Sequence, residues 1–403
     1  MKILLIHQAF QSLQGAGGTR HYEFAQHCIK RGHEFVVVAS DVSYLDAQKM
    51  DKSRSVEVID GIKIIRASTP TYIHKGFAWR ILAFIVYMLS SFWSAFREPK
   101  VDLVMGTSPS LFQGLSAAWV ALLKRRPLLL EVRDLWPDFA IEMGILNSRV
   151  LIFLAKLAEK FIYWRAAHIL VNSPAYVDYL VEKGISPDKI SLIPNGVDPK
   201  MFEGEADPDR IRNEFELTEK YVVTYAGAIG PANDIPTIVR GAERLQDKSE
   251  IHFLLVGGGK ALEEVRAMVE EKKLDNVTIA GIRQKSEMAD VLAASNACVA
   301  TLQNIPMFKM TYPNKIFDYM AARKPIVLGI DGVIRKVVED GKGGIFVEPG
   351  DDKQLADAVV WMYEHQEEAA QMGVSGCQFV ADNFNRENDA RNFCDLIEKV
   401  LVQ

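Results

Sequence analysis

Within the run Pro313-Asn314-Lys315-Ile316-Phe317-Asp318 stand a helix entry, a cation and a carboxylate. Asn314 is expected to cap a short helix, leaving its first-turn amides open to a phosphate. Lys315 adds positive charge at that end, and Asp318, one turn on, offers a carboxylate suited to sugar hydroxyls. The chemistry this suggests is the binding of a phosphorylated sugar. A capped surface helix with solvated charges is the plainer alternative, so the decision rests on the rest of the chain.

Other chemistry-bearing runs follow the same style. Glu131-Val132-Arg133-Asp134-Leu135-Trp136-Pro137-Asp138 places an arginine between carboxylates, able to bind phosphate, orient a hydroxyl or act as a base. An internal Arg–Asp pair with Trp136 packed beside it would give the same spelling. Glycines recur before helices: Gln14-Gly15-Ala16-Gly17-Gly18-Thr19-Arg20 near the amino terminus, then Gly227 to Asn233, Gly257-Gly258-Gly259 and Gly281-Ile282-Arg283. Glycine lets a backbone approach a ligand closely. The spacing of the first loop does not make a GxGxxG, which disfavours a nicotinamide-dependent oxidoreductase as the rival enzyme class.

The elements that must hold these residues are strands and helices in alternation. Apolar strands are expected at Ile3–Ile6, Phe35–Ala39, Leu103–Met105, Leu128–Val132 and Ile169–Val171. A second series runs Tyr221–Ala226, Ile251–Val256, Val277–Ala280, Ala297–Thr301 and Ile326–Leu328. Such alternation predicts α/β architecture with parallel sheets covered by helices. The rhythm breaks between Ile193 and Tyr221, giving two Rossmann-like domains facing one another across a cleft. Ligands then belong beyond the carboxyl ends of strands, where the glycine and Arg-Asp loops fall.

A chain of 403 residues exceeds what one core usually supports. A net charge of -5 gives no reason to expect nucleic acid as a partner. Four scattered cysteines without a CxxC spacing suggest neither zinc nor a disulfide framework, and point to reduced cytosol. The amino-terminal apolar run is too short for a signal sequence and reads as a first strand. Ile81 to Phe96 is uncharged and aromatic-rich; core helix, interfacial helix and membrane span all remain open for it.

The turn Ile193-Pro194-Asn195-Gly196-Val197-Asp198, the amino-terminal Gly-Gly loop, the PNKIFDYMAARKPIV segment with Gly332, and the GGIFVEPGD stretch together resemble the retaining family 4 glycosyltransferases of GT-B fold. The likeness spans nearly the whole chain and is greatest to bacterial enzymes of surface-polysaccharide (O-antigen or capsule) assembly. It implies an acceptor-binding domain at 1-198 plus 385-403, with the last helix crossing back, and a nucleotide-sugar domain at 199-384. Gly17 and Gly18 would approach the diphosphate or donor sugar, Lys315 the phosphate, Asp318 the ribose, and Ile282 with Arg283 the base. Gly227, Gly230, Asn233, Gly257, Pro313 and Asn314 would complete the donor site. Lys315, Arg133 and Asp134 are the catalytic candidates, and Arg20, Trp136 and Asp138 the acceptor candidates.

Three departures from the family pattern stand out. Met310 stands eight residues before Asp318, where the family usually has a glutamate. Arg133-Asp134 replaces a common His-Asp. The Arg/Lys diphosphate clamp is replaced near Gly230 to Asn233. The one DxD, Asp207-Pro208-Asp209, lies in the linker, so no metal is expected. The implied activity is hexosyl transfer, N-acetylated sugars included, from a nucleoside-diphosphate donor, UDP-linked by family weight, to a lipid-linked glycan. The implied setting is the cytoplasm, with membrane-surface contact at its inner face. The alternative is a nucleotide-sugar-binding subunit with little or no activity.

Overall fold

Runs such as Ile3-Leu4-Leu5-Ile6 and Phe35-Val36-Val37-Val38 carry no polar side chain on either face, which suits strands covered on both sides. The computed structural model describes residues 1–12, 18–42, 55–71, 76–204 and 206–402. They divide into unit 1, Met1–Pro194 with Asn388–Gln403, and unit 2, Asn195–Glu387. The division falls after Pro194 because the rest of that turn is bonded into unit 2. Asn195 Nδ2 donates to Tyr312 O at 2.8 Å, and Arg386 Nε donates to Gly196 O at 3.0 Å.

Unit 1 contains β1 (Lys2–Ile6), β2 (Glu34–Ser40), β3 (Val56–Ile59), β4 (Ile62–Ala67), β5 (Leu103–Thr107), β6 (Leu128–Val132), β7 (His168–Val171) and β8 (Ile190–Leu192). Their order is β3-β4-β2-β1-β5-β6-β7-β8, parallel except for the β3–β4 hairpin. Ile3 sits between Phe35 of β2 and Leu103 of β5, so the order reverses direction at β1. The sheet is covered by helices that include α1 (Arg20–Lys30), α2 (Phe77–Arg97), α3 (Leu111–Lys124) and α4 (Arg149–Arg165). The C-terminal helix Arg386–Val402 adds Phe393, Ile397 and Val400 to the same core as Ile3, Leu5 and Phe24.

The 16-residue apolar run at Ile81 to Phe96 lies within α2. Ala83, Tyr87, Ser91 and Ala95 form a narrow buried stripe, and the Tyr87 hydroxyl donates to Val38 O at 2.9 Å. The helix is therefore stitched to the unit 1 sheet. Only 22% of its apolar window is buried.

Unit 2 contains β9 (Tyr221–Ala226), β10 (Ile251–Val256), β11 (Val277–Gly281), β12 (Ala297–Thr301), β13 (Ile326–Gly329) and β14 (Gly344–Phe346). All are parallel in the order β11-β10-β9-β12-β13-β14, the doubly wound arrangement. Its switch point lies between β9 and β12. Helix α5 (Asn314–Ala321) ends the connection from β12 to β13.

All ten expected strands are present, and β3, β4, β8 and β14 lie outside that series. The β3–β4 hairpin turns at Asp60-Gly61, both at positive φ, with Ile59 paired to Ile62. Asp-Gly between alternating apolar residues is a strong hairpin signal. Strands β8 and β14 are three residues long and hardly stand out as apolar runs.

Candidate functional site

Helix α5 buries Ile316, Phe317, Tyr319 and Met320 and is pinned to the end of β9 by Tyr319. Its hydroxyl accepts from Ala226 N at 2.7 Å and donates to Ala226 O at 2.9 Å. Residues four apart share a helix face, so this anchor fixes Lys315 beside the switch point. Lys315 Nζ donates to the Tyr225 hydroxyl and to Asn233 Oδ1, each at 2.7 Å, and lies 4.3 Å from the centre of the Tyr225 ring. Among the described residues no carboxylate pairs with it. Burial pushes its pKa down to about 7.

Gly227 belongs to the same cluster, since a Cβ there would stand 3.2 Å from Lys315 Cε. A Cβ on Gly230 would lie 3.8 Å from Asn233 Nδ2. Where the family clamp is missing, Asn233 thus holds the amine of Lys315. The helix entry differs from expectation. Pro313 occupies the capping position without a side-chain cap, and Asn314 is the exposed first residue of the helix. A φ of -66° and ψ of 126° at Pro313 already set the extended approach that a cap requires, so Asn314 begins the helix itself.

The second glycine loop has a structural reason. Gly257 has φ +145°, and a Cβ on it would fall 1.8 Å from Gly227 O. Backbone bonds from Gly227 to Val256, from Ile229 to Gly258 and from Gly257 to Gly281 carry the sheet pairing past the strand ends. Gly257 therefore admits a neighbouring backbone, and the loops after β9, β10 and β11 are locked together.

Asp318 Oδ2 accepts from Lys285 Nζ at 2.8 Å, which ties α5 to the segment after β11. Ile282 is 53% exposed beside Gly258. Arg283 turns elsewhere: it pairs with Glu214 and, at 3.5 Å, with Glu287, and stacks over Phe215. Asp207 of the DxD caps the short helix Pro208–Glu214 by accepting from Arg210 N, a helix-end role.

In unit 1 a second polar cluster gathers at the ends of β1, β5 and β6. Glu131 is fully buried and accepts from Arg20 Nε at 3.0 Å and Thr107 Oγ1 at 3.1 Å, with His21 Nε2 at 2.5 Å. Burial alone would raise its pKa, but His21, Arg20 and Arg133 hold the carboxyl well below the usual range. Arg20 also donates to Pro194 O at 2.6 Å and Ile193 O at 2.7 Å. All of its guanidinium nitrogens are engaged, so Arg20 braces the end of β6 against the segment after β8. Asp138 is likewise occupied, by Lys183 at 2.8 Å, Lys156 at 3.6 Å and the Tyr179 hydroxyl.

Arg133 and Asp134 lie at the edge of this cluster. Both of their backbone amides donate to Ser108 Oγ, at 2.7 and 2.9 Å. Burial pushes Asp134 up to about 6, against the nearby Arg133. Asp134 and the half-buried Trp136 line one small cavity with Thr107, Ser108 and Tyr163. Buried His7 Nδ1 and Arg133 Nε have no hydrogen-bond partner among the described residues. His7, held neutral by burial with His21 and Arg133 nearby, was not singled out from sequence, nor were Tyr225, Tyr319 and Lys285. A histidine ending an apolar strand was the one visible signal. Of the amino-terminal glycines, Gly18 is exposed just ahead of α1, and Gly17 lies outside the described residues.

Residues 15–196 match the family model of the glycosyl transferase 4-like domain, and residues 220–365 that of glycosyl transferases group 1. Over 250 residues the chain is 24% identical to the colanic acid biosynthesis glycosyl transferase WcaI of Escherichia coli, covering 60% of this chain and 61% of WcaI. It is 27% identical over 214 residues to a D-inositol 3-phosphate glycosyltransferase of Mycobacteroides abscessus, covering 51% of this chain and 46% of that enzyme. These matches therefore span less than two thirds of the relatives' own lengths. Among solved structures, sucrose-phosphate synthase of Thermosynechococcus elongatus superimposes with a TM-score of 0.77 at 20% identity, covering 100% and 99% of the two chains. Anabaena Alr3699/HepE in complex with UDP and glucose gives 0.75 at 17% identity over 99% of each chain.

Two Rossmann-type units, with these structural matches, give the chain the GT-B fold. The chain belongs to the family 4 glycosyltransferases of that fold.

Proposed function

We propose that the protein transfers a hexosyl unit from a UDP-linked donor to a lipid-linked glycan acceptor in surface-polysaccharide assembly, with retention at the anomeric carbon, at the cytoplasmic membrane surface. The observation that carries the donor reading is Lys315, whose desolvated amine at the unit 2 switch point is held by a phenol and an amide, with no carboxylate partner among the described residues. Such a group lacks a counter-charge, and a diphosphate supplies one. HepE has been solved with UDP-glucose, which supports the choice of nucleotide.

In transfer, the bond from the anomeric carbon to the diphosphate oxygen breaks and negative charge grows on the leaving phosphate. Lys315 and the α5 amides neutralise that charge. The acceptor hydroxyl attacks from the same sugar face, its proton passing to the departing phosphate, so no protein nucleophile is needed. Asp318 receives the ribose hydroxyls on its Oδ1, and exposed Ile282 offers the base an apolar surface. Asp134 and Trp136, with Arg133 beside them, orient the acceptor.

Because Lys315 supplies the charge, transfer is expected to persist in EDTA. Thermal shift against UDP-, GDP- and ADP-sugars tests the donor. Stabilisation by UDP-sugars that Lys315→Ala and Asp318→Ala abolish supports the reading, and indifference to every nucleotide sugar refutes it. Binding without hydrolysis or transfer to any acceptor would point to the non-catalytic subunit instead.

A further inference from the structure

The outward side of α4 reverses the pattern of an ordinary surface helix, which buries its apolar face. Its buried residues are Glu159, Ile162 and Tyr163. Val150, Phe153, Leu157 and Trp164, which recur at helical spacing, are 67, 67, 55 and 70% exposed. Helix α3 continues this surface with Trp119 and Leu123, and α2 with Leu89 and Trp93, all about half exposed. Aromatic contacts join them: Trp119 meets Phe161 at 5.1 Å, Phe84 meets Phe112 at 5.9 Å, and Lys124 Nζ lies 5.3 Å from the Phe96 ring.

Apart from one inward carboxylate, the charge on these helices is basic. Arg80 and Arg97 lie on α2, Lys124 to Arg126 end α3, and α4 carries Arg149, Lys156, Lys160 and Arg165. Helices α2 and α3 contain no acidic residue. The one carboxylate of α4, Glu159, faces inward and is paired with Lys183 at 2.7 Å. This basic concentration sits in a chain whose net charge is -5.

Exposed tryptophan and phenylalanine rimmed by arginine and lysine fit a surface with an apolar interior and anionic headgroups. We infer that the α2–α3–α4 face docks on an anionic lipid bilayer, with α4 lying in the headgroup plane. The purpose of docking rests on the lipid-linked acceptor proposed above, whereas the docking itself is measured separately.

The test is sedimentation of the full chain with phosphatidylcholine vesicles, with and without phosphatidylglycerol, at low and high salt. Binding is expected to require phosphatidylglycerol, to weaken with salt, and to fall about tenfold or more in a Phe153→Glu/Trp164→Glu variant. Circular dichroism and UDP-sugar hydrolysis should be unchanged in that variant. Equal sedimentation of both proteins, or no vesicle binding by the wild type, overturns the inference. So does a wild-type dimer in light scattering that the variant splits, which would make this an interface between copies. Vesicle binding without transfer to lipid-linked acceptors would sustain docking and remove the acceptor reading.

Discussion

Lys315 is an amine buried against a phenol and an amide, and its depressed pKa is the cost of that burial. Lys315→Met removes the donor to the leaving phosphate without removing the packing, so transfer should fall about 100-fold or more. Urea unfolding should show no loss of stability in the same variant. The pH behaviour follows in sign. Above pH 7 the folded protein releases the Lys315 proton while the unfolded chain holds it up to about 10.4, so this residue makes stability rise across that window. A bound diphosphate restores the charge. Donor affinity should therefore decline as pH rises above 7, and calorimetry in buffers of different ionisation enthalpy should show proton uptake. Asp134 behaves oppositely. Its folded pKa of about 6 lies above the unfolded value, so its contribution to stability is full below about pH 4 and lost as pH rises through 6. If its carboxylate orients the acceptor, kcat/KM should rise through pH 6, and Asp134→Asn should flatten that limb. The cation was legible in the PNK spelling. Its partners were not, because Tyr225 and Asn233 lie 90 and 82 residues away in sequence.

At the scale of elements, the glycine loops of unit 2 divide by what surrounds them. Gly257→Ala would drive a methyl into Gly227 O and should cost about 3 kcal/mol. Gly281 has φ +73° but nothing within 4 Å of its Cβ position, so Gly281→Ala should cost only about 1 kcal/mol of backbone strain. Urea midpoints of the two variants compare these values directly, and equal shifts would defeat the argument. Sequence placed glycines at strand ends and read them as room for a ligand. Whether a glycine faces a ligand or another loop depends on how strand ends align, which the register alone decides. The same limit hid the internal partners of Arg20 and Asp138.

At the scale of the molecule, the C-terminal helix belongs to the first core. Phe393 stacks on Phe24 with ring centres 4.4 Å apart, both fully buried. Ending the chain at Glu387 should unfold unit 1 while unit 2 keeps its cooperative transition, and Phe393→Ala should destabilise unit 1 by about 3–5 kcal/mol. Calorimetry with separate transitions for the two units would check both. The alternation of apolar runs and helices is a local property, so the amino-acid order alone determined the α/β class and ten of the strands. Pairing is not local. Lys285 with Asp318, Glu131 with Arg20, and the apolar side of α4 turned toward solvent were decided only in three dimensions, because each depends on which distant surfaces the folded sheets bring to one edge.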